Sequence, residues 1–234
     1  MISFVVPAHN EERLLGATID AIHAAAREIR IPYEIVVAND TSTDNTASVA
    51  RSHGARVADC EHRQIARVRN TGGRASTGDI LIFVDADTQI SAAVVSASLA
   101  AIKRGAVGGG ATLRVDGRLP WWAPLAIWFV GAAMGAMRWA AGCYVFCTRA
   151  AFEATGGFDE QLFATEEIAF SRALKRIGPV VILRETVVTS GRKMRTHPLR
   201  EFFPVWGGIF PHGTAALRNR DKLSVWYGER RDED

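Results

Sequence analysis

The chain has few cysteines, little net charge and no phosphate-loop glycine pattern, and each shortage excludes a class of protein. Only Cys60, Cys143 and Cys147 occur among 234 residues. So sparse and odd a set argues against a disulfide framework and for a reducing compartment. Cys143 and Cys147 lie in an apolar run with no His or Cys partner at zinc spacing, so both are expected in the core. The formal net charge is +3, which calls for no nucleic-acid partner. No Gly-x-Gly-x-x-Gly follows the first strand, so a nicotinamide dehydrogenase is disfavoured. A nucleotidyltransferase is disfavoured in the same way, because residues 7–11 are not a glycine-rich basic loop. There is no internal repeat and no low-complexity segment. The N-terminus carries no basic leader, and its short apolar run reads as a first strand that starts at once.

What is present fits a folded α/β protein. Hydrophobic residues make up 48% and charged residues 23%, an ordinary globular balance with length enough for a full core. Apolar runs at 2–6, 34–38, 56–58 and 80–84 read as strands. Helical spacing covers 11–30, the stretch up to His53, 64–76 and 92–103. Asn10 is the expected N-cap of the first helix, and Asp44 or Ser42 that of the second. This order predicts a Rossmann-like, mixed but mostly parallel sheet flanked by helices. The second half is less regular, with strands at 107–115, 144–147 and 180–183 and helices at 149–155 and 166–177. One domain is expected over 1–220, with a nucleotide-binding half (1–105) and an acceptor-side half (106–220). A charged tail follows at 221–234.

In such sheets ligands bind beyond the carboxyl ends of the strands. The polar loops 7–11, 39–44 and 85–88 are therefore expected to converge on one edge. Asp85 and Asp87 follow the apolar strand 80–84, and two carboxylates two positions apart in an extended segment point to one side. That pair suits Mg²⁺ or Mn²⁺ carrying a diphosphate, because these ions take oxygen ligands and keep positions for phosphate. Asp also opens turns, so the triplet alone is weak. Asp40, at the end of the second strand, is placed to accept from a nucleobase N–H. The Gly108–Gly110 run suits close packing within a strand better than a phosphate cradle.

Two further segments leave alternatives open. Between Arg184 and Arg200 five basic residues face one acid, which fits either a solvated loop or a phosphate-binding one. From Trp121 to Met137 the chain is nearly all apolar, a little short for a spanning helix and interrupted by Pro124, Gly131 and Gly135. It reads equally as a core helix or as an apolar helix lying on a membrane or holding a lipid acceptor.

Taken together, the stretches Val5-Val6-Pro7-Ala8-His9-Asn10-Glu11-Glu12, Val36 to Asp44, Arg69-Asn70-Thr71-Gly72 and Gly78 to Asp87 resemble the family 2 glycosyltransferases of the GT-A fold. The match covers roughly the first ninety residues, in order and spacing. The resemblance implies that Pro7, Ala8, Asn10, Glu11, Asp40, Asn70 and Asp85 bind the nucleotide. It implies that Asp85 and Asp87 hold a divalent metal on the diphosphate of a nucleoside-diphosphate sugar. Downstream, Gly142 to Glu160 resembles the acceptor-side segment. Thr165-Glu166-Glu167 stands where relatives carry Glu-Asp, which makes Glu167 the candidate base and Glu166 its neighbour. Here the chain departs from the pattern, with Glu for Asp. Thr165 is also a candidate helix cap.

Many relatives place a metal-binding His after the last strand. Residues 187–193 contain none; His197 is displaced and His212 lies further on. The Ser190-Gly191-Arg192-Lys193 run instead resembles a subset of bacterial enzymes, in which Arg192, Lys193 or Arg195 would reach the diphosphate as a closing loop. The resemblance therefore implies a metal-dependent inverting transferase whose acceptor is a hydroxyl or phosphate, with a lipid-linked or cell-envelope glycan as one class. The expected location is cytoplasmic, at the inner face of the membrane if the 121–137 segment docks there. A nucleotide-sugar-binding protein that has lost its base is the non-catalytic alternative.

Overall fold

A computed structural model describes residues 1–196 together with Glu201 and Leu223. In chain order the elements are β1 (Ile2–Ala8), α1 (Leu15–Glu28), β2 (Tyr33–Asp40), α2 (Thr46–Ser52), β3 (Arg56–Cys60), α3 (Ile65–Ala75), β4 (Ile80–Val84) and β5 (Thr88–Gln89). They continue as α4 (Ala92–Lys103), β6 (Gly108–Val115), α5 (Ala123–Ala136), β7 (Tyr144–Thr148), α6 (Arg149–Thr155), α7 (Glu166–Ile177), β8 (Val180–Thr189) and α8 (Arg192–Thr196).

One eight-stranded sheet runs β3-β2-β1-β4-β7-β6-β8-β5. The neighbours β3, β2, β1 and β4 are parallel, as continuous apolar strands covered on both faces should be. β7 then runs antiparallel to β4 and β6, and β8 is parallel to β6 and antiparallel to β5. Alternation along β4 divides the core. Ile82 and Val84 face a cluster with Phe4, Ile19 and Tyr144, while Leu81 and Phe83 face one with Val5, Phe152 and Phe170. Phe83 meets Phe158 edge to face at 4.9 Å.

Two glycines set how closely these layers approach. A Cβ at Gly72 would lie 2.4 Å from Val5 Cγ1, so only glycine lets α3 lie against β1. A Cβ at Gly109 would lie 2.0 Å from the Val181 carbonyl oxygen. The Gly108–Gly110 run is thus close packing inside the sheet, as expected.

The structure amends several local expectations. α1 begins at Leu15, and Asn10 does not cap it: Asn10 sits at φ 53 and its Oδ1 accepts from the Thr43 N–H. Asp44 does act at the start of α2, accepting from the N–H and hydroxyl of Thr46. Thr165 precedes α7 but makes no side-chain cap and is left-handed at φ 61. The last long strand extends to Thr189 through an irregularity opposite Ala111 and Thr112. Cys143 and Cys147 are buried free thiols. The 121–137 segment forms α5, and it is not a core helix: of its residues only Ala123 is buried. Most of the expected tail lies outside the described residues, but Leu223 is buried against Leu162 and Ala164.

Candidate active site

The loops after β1 and β2 meet as the parallel sheet requires. Asn10 N–H donates to Ser42 Oγ at 3.0 Å, and Glu12 N–H to Asp44 Oδ2 at 3.2 Å. Pro7 and Ala8 pair with Ala38 and Asn39 at the strand ends. Asp40 is buried, and its Oδ1 accepts from the His62 N–H at 2.7 Å. Beside it, Asn39 Oδ1 and Thr41 Oγ1 are buried with no hydrogen-bond partner. Thr41 is left-handed at φ 50, a costly conformation for a β-branched residue. Unsatisfied polar atoms and backbone strain therefore coincide at the end of β2.

Asp85 and Asp87 lie where β4 ends, but in a turn rather than an extended segment: the Thr88 N–H donates to the Asp85 carbonyl. Both carboxylates remain near enough to Cys143 to add to burial in pushing its thiol well above the ordinary range. Thr189, at the end of β8, donates from Oγ1 to Asp87 Oδ1 at 3.4 Å, and the Ser190 N–H donates to the Asp87 carbonyl. Two hard carboxylates, Asp87 backed by the Thr189 hydroxyl and Asp85 by the Arg69 guanidinium, fit Mg²⁺ or Mn²⁺, whose remaining positions go to phosphate and water. Among the described residues no cluster of three or more His, Cys, Asp or Glu could hold a metal. His197 and His212 lie outside the described residues.

Arg69 joins the two halves. It is 2% exposed, on α3. Its Nη2 donates to Asp85 Oδ1 at 2.9 Å and to the Gly142 carbonyl at 3.0 Å, while Nη1 donates to Glu166. Glu166 is buried at the first position of α7, where an acid also favours the helix dipole. Glu167 is half-buried beside it. Burial first, and then the Glu166 charge, push its carboxyl up to about 8, against the opposing pull of Arg69. A Cβ at Gly142 would meet Glu167 Cδ at 3.6 Å, so Glu167 borders the segment that leads into β7.

The remaining candidates divide. Arg192 Nη2 donates to Glu11 Oε1 at 3.3 Å, which brings α8 against the loop after β1. Arg195 instead donates to the Asp116 carbonyl at 2.8 Å. Lys193 lies between them on α8. Asn70 is elsewhere than expected: it is buried, its Oδ1 accepts from the Phe158 N–H, and its Nδ2 donates to the Phe158 carbonyl and Glu160 Oε1. Its hydrogen-bonding groups brace the loop before α7. Sequence reasoning gave no role to Arg69 or Thr189. For Arg69 the signal was available, since it sits in the quoted Arg69–Gly72 stretch and a buried arginine needs a carboxylate partner.

Strand-end loops facing a helix that opens on paired acids sit within a mixed α/β sheet of the GT-A kind. A family model described as Glycosyl transferase family 2 matches residues 3–159, and the chain belongs to that family. It is similar, at 30% identity over 96 residues, to an undecaprenyl-phosphate 4-deoxy-4-formamido-L-arabinose transferase of Serratia proteamaculans; the match covers 38% of this chain and 29% of that protein. It is 41% identical over 58 residues to a 4,4'-diaponeurosporenoate glycosyltransferase of Staphylococcus aureus, covering 25% of this chain and 14% of that one. Both matches span less than a third of the relative's length. Among solved structures, the mannosyltransferase PcManGT from Pyrobaculum calidifontis, in complex with GDP-Man and Mn²⁺, superposes with a TM-score of 0.63 at 20% identity. That superposition covers 96% of this chain and 72% of the other.

Proposed function

We propose that this chain transfers a sugar from a nucleoside-diphosphate sugar to an acceptor hydroxyl or phosphate by a single inverting displacement. The observation that carries the reading is Arg69, which ties Asp85 on the donor side to Glu166 beside Glu167 on the acceptor side. In this reading the unsatisfied polar atoms near Asp40 receive the nucleobase. Arg192, Lys193 or Arg195 closes on the diphosphate. A cation held by Asp85 and Asp87 would neutralise charge developing on the leaving diphosphate. Glu167 takes the proton of an acceptor hydroxyl, a task suited to a carboxyl with a pKa near neutrality.

The acceptor we propose is lipid-linked. The support is the name of the Serratia relative, an undecaprenyl-phosphate transferase, and the apolar α5, from which the chain runs to Gly142 at the site. The test is a thermal-shift panel of UDP-, GDP- and dTDP-sugars with Mg²⁺ or Mn²⁺, followed by turnover. Cation-dependent stabilisation by one nucleotide class is expected. A protein that neither binds nor hydrolyses any of them overturns the reading. Donor binding with no turnover on any acceptor supports the non-catalytic alternative.

A further inference from the structure

No charged residue occurs between Trp121 and Met137. A helix apolar all round belongs inside a protein or a membrane, yet α5 lies on the outside. Ala126, Ile127, Val130 and Met134 are half-buried and share one stripe of the helix. The opposite face is open, with Trp121 92%, Trp128 64% and Phe129 61% exposed. Contiguous aromatic exposure of this kind marks an interaction surface. Tryptophan in particular settles at the boundary between acyl chains and headgroups.

The surroundings of α5 indicate what covers it. Arg118 precedes the segment and Arg138 follows it, both exposed. At the C-terminal end, Lys175 Nζ donates to the Met137 carbonyl, and Arg172 lies over the Trp139 ring at 4.6 Å. Arg176 follows on α7, which carries no acid beyond Glu167. The dipole of α7 accounts for cations in its last turn. It does not account for Arg118, Arg138 or the stacking of Arg172 on Trp139. The apolar face therefore has a cationic rim, which matches an anionic bilayer and not an apolar protein partner. Arg172 and Arg176, with Asp159, also line a cavity of about 460 Å³ between the Gly156-Gly157 turn and α7.

We propose that α5 and this rim dock the protein in the plane of a bilayer containing anionic phospholipid; the inference deepens, and rests on, the lipid-linked acceptor reading. Fourteen residues make a helix of ~21 Å, shorter than the ~30 Å hydrocarbon core, so α5 lies along the surface and does not cross. α7 then connects membrane to chemistry. Glu167 and Lys175 are eight residues apart on it, about 12 Å along the axis. Residues 138–141 lead directly from the end of α5 to Gly142, whose carbonyl holds Arg69. A lipid phosphate at headgroup depth is thereby presented next to the paired acids.

The experiment is vesicle co-sedimentation of the full chain, with phosphatidylcholine alone and with phosphatidylglycerol added. Tryptophan quenching by brominated acyl chains is read in parallel. We expect binding to anionic vesicles, with quenching, weakened by salt. Trp128→Ser with Phe129→Ser should abolish both binding and quenching. Arg138→Gln with Arg176→Gln should lower affinity for anionic vesicles roughly thirtyfold, about fivefold per cation, and leave weak binding to phosphatidylcholine unchanged. Cation-dependent nucleotide stabilisation should persist in every variant, which reports that the donor half is folded. No vesicle binding by the parent protein overturns the proposal, as does equal binding to neutral and anionic vesicles. A dimer without vesicles that Trp128→Ser dissolves also overturns it, in favour of a second copy on α5. Vesicle binding without any nucleotide binding removes the transferase reading and leaves the docking intact.

Discussion

Arg69 Nη2 stands 2.9 Å from Asp85 Oδ1, with the arginine almost wholly buried. The same guanidinium pairs with buried Glu166. The desolvation of three ionic groups is thus met by mutual attraction and by a hydrogen bond to the Gly142 carbonyl. Removing one partner of such a cluster leaves an uncompensated buried charge.

Arg69→Met should therefore destabilise the protein by about 3–5 kcal/mol, read by urea denaturation. Adding Glu166→Gln should recover part of the loss, because the orphaned charge is gone. If the single variant unfolds at the parent midpoint, the cluster does not hold the two halves together.

Glu167 makes stability depend on pH in a defined direction. Its carboxyl is raised from 4.5 to about 8 by burial and by Glu166. Between those values the folded state holds a proton that the unfolded state has lost, so stability falls as pH rises through the window. The melting temperature of the ligand-free protein should drop between pH 5 and 8, and Glu167→Gln should flatten that slope. The same ionisation should make kcat/KM rise with pH up to about 8. A melting profile of the same slope in Glu167→Gln would assign the effect to another group.

The acceptor class can be read from the same variant. A hydroxyl needs its proton removed, whereas a phosphate arrives already ionised. Glu167→Gln should cut turnover roughly 10²–10⁴-fold on a hydroxyl acceptor and far less on a polyprenyl phosphate, with donor binding retained in both cases. Unchanged turnover on a hydroxyl acceptor removes Glu167 as base.

Asp87 separates metal binding from the Arg69 cluster, since its side-chain oxygen meets Thr189 at the end of β8. Asp87→Asn should abolish the cation-dependent part of nucleotide stabilisation while leaving urea stability near the parent value. It should lower turnover at least ~100-fold, the scale of charge stabilisation by a bound cation. Cation-dependent stabilisation that survives the substitution would move the metal away from this pair.

The first half of the sheet was legible because its signals are local. Apolar runs of strand length, polar loops after them and helical spacing between them specify a parallel sheet, and a parallel sheet brings its loop ends together. The Asp85–Asp87 triplet, the Asp40 loop and the glycine run all lay where that logic put them. The errors were also local: Asn10 has the chemistry of a cap, but Thr43 claims its side-chain oxygen. Asn70 sits in a motif beside the cleft, but its side chain turns to Phe158 and Glu160. A residue type states what a side chain can bond to, not which neighbour reaches it first.

By itself the sequence determined the order of strands and helices, the edge on which the strand-end loops meet and the paired acids at the head of α7, all fixed by periodicity and short-range chemistry. Only the tertiary structure decided the rest. Arg69 found partners 16 and 97 residues away, and Arg192 reached Glu11 across 181 residues. α5 was set on the surface, although its composition suits a core equally well. Periodicity records which residues avoid water, while burial depends on what packs against them, and for α5 no element of the described fold covers its outer face.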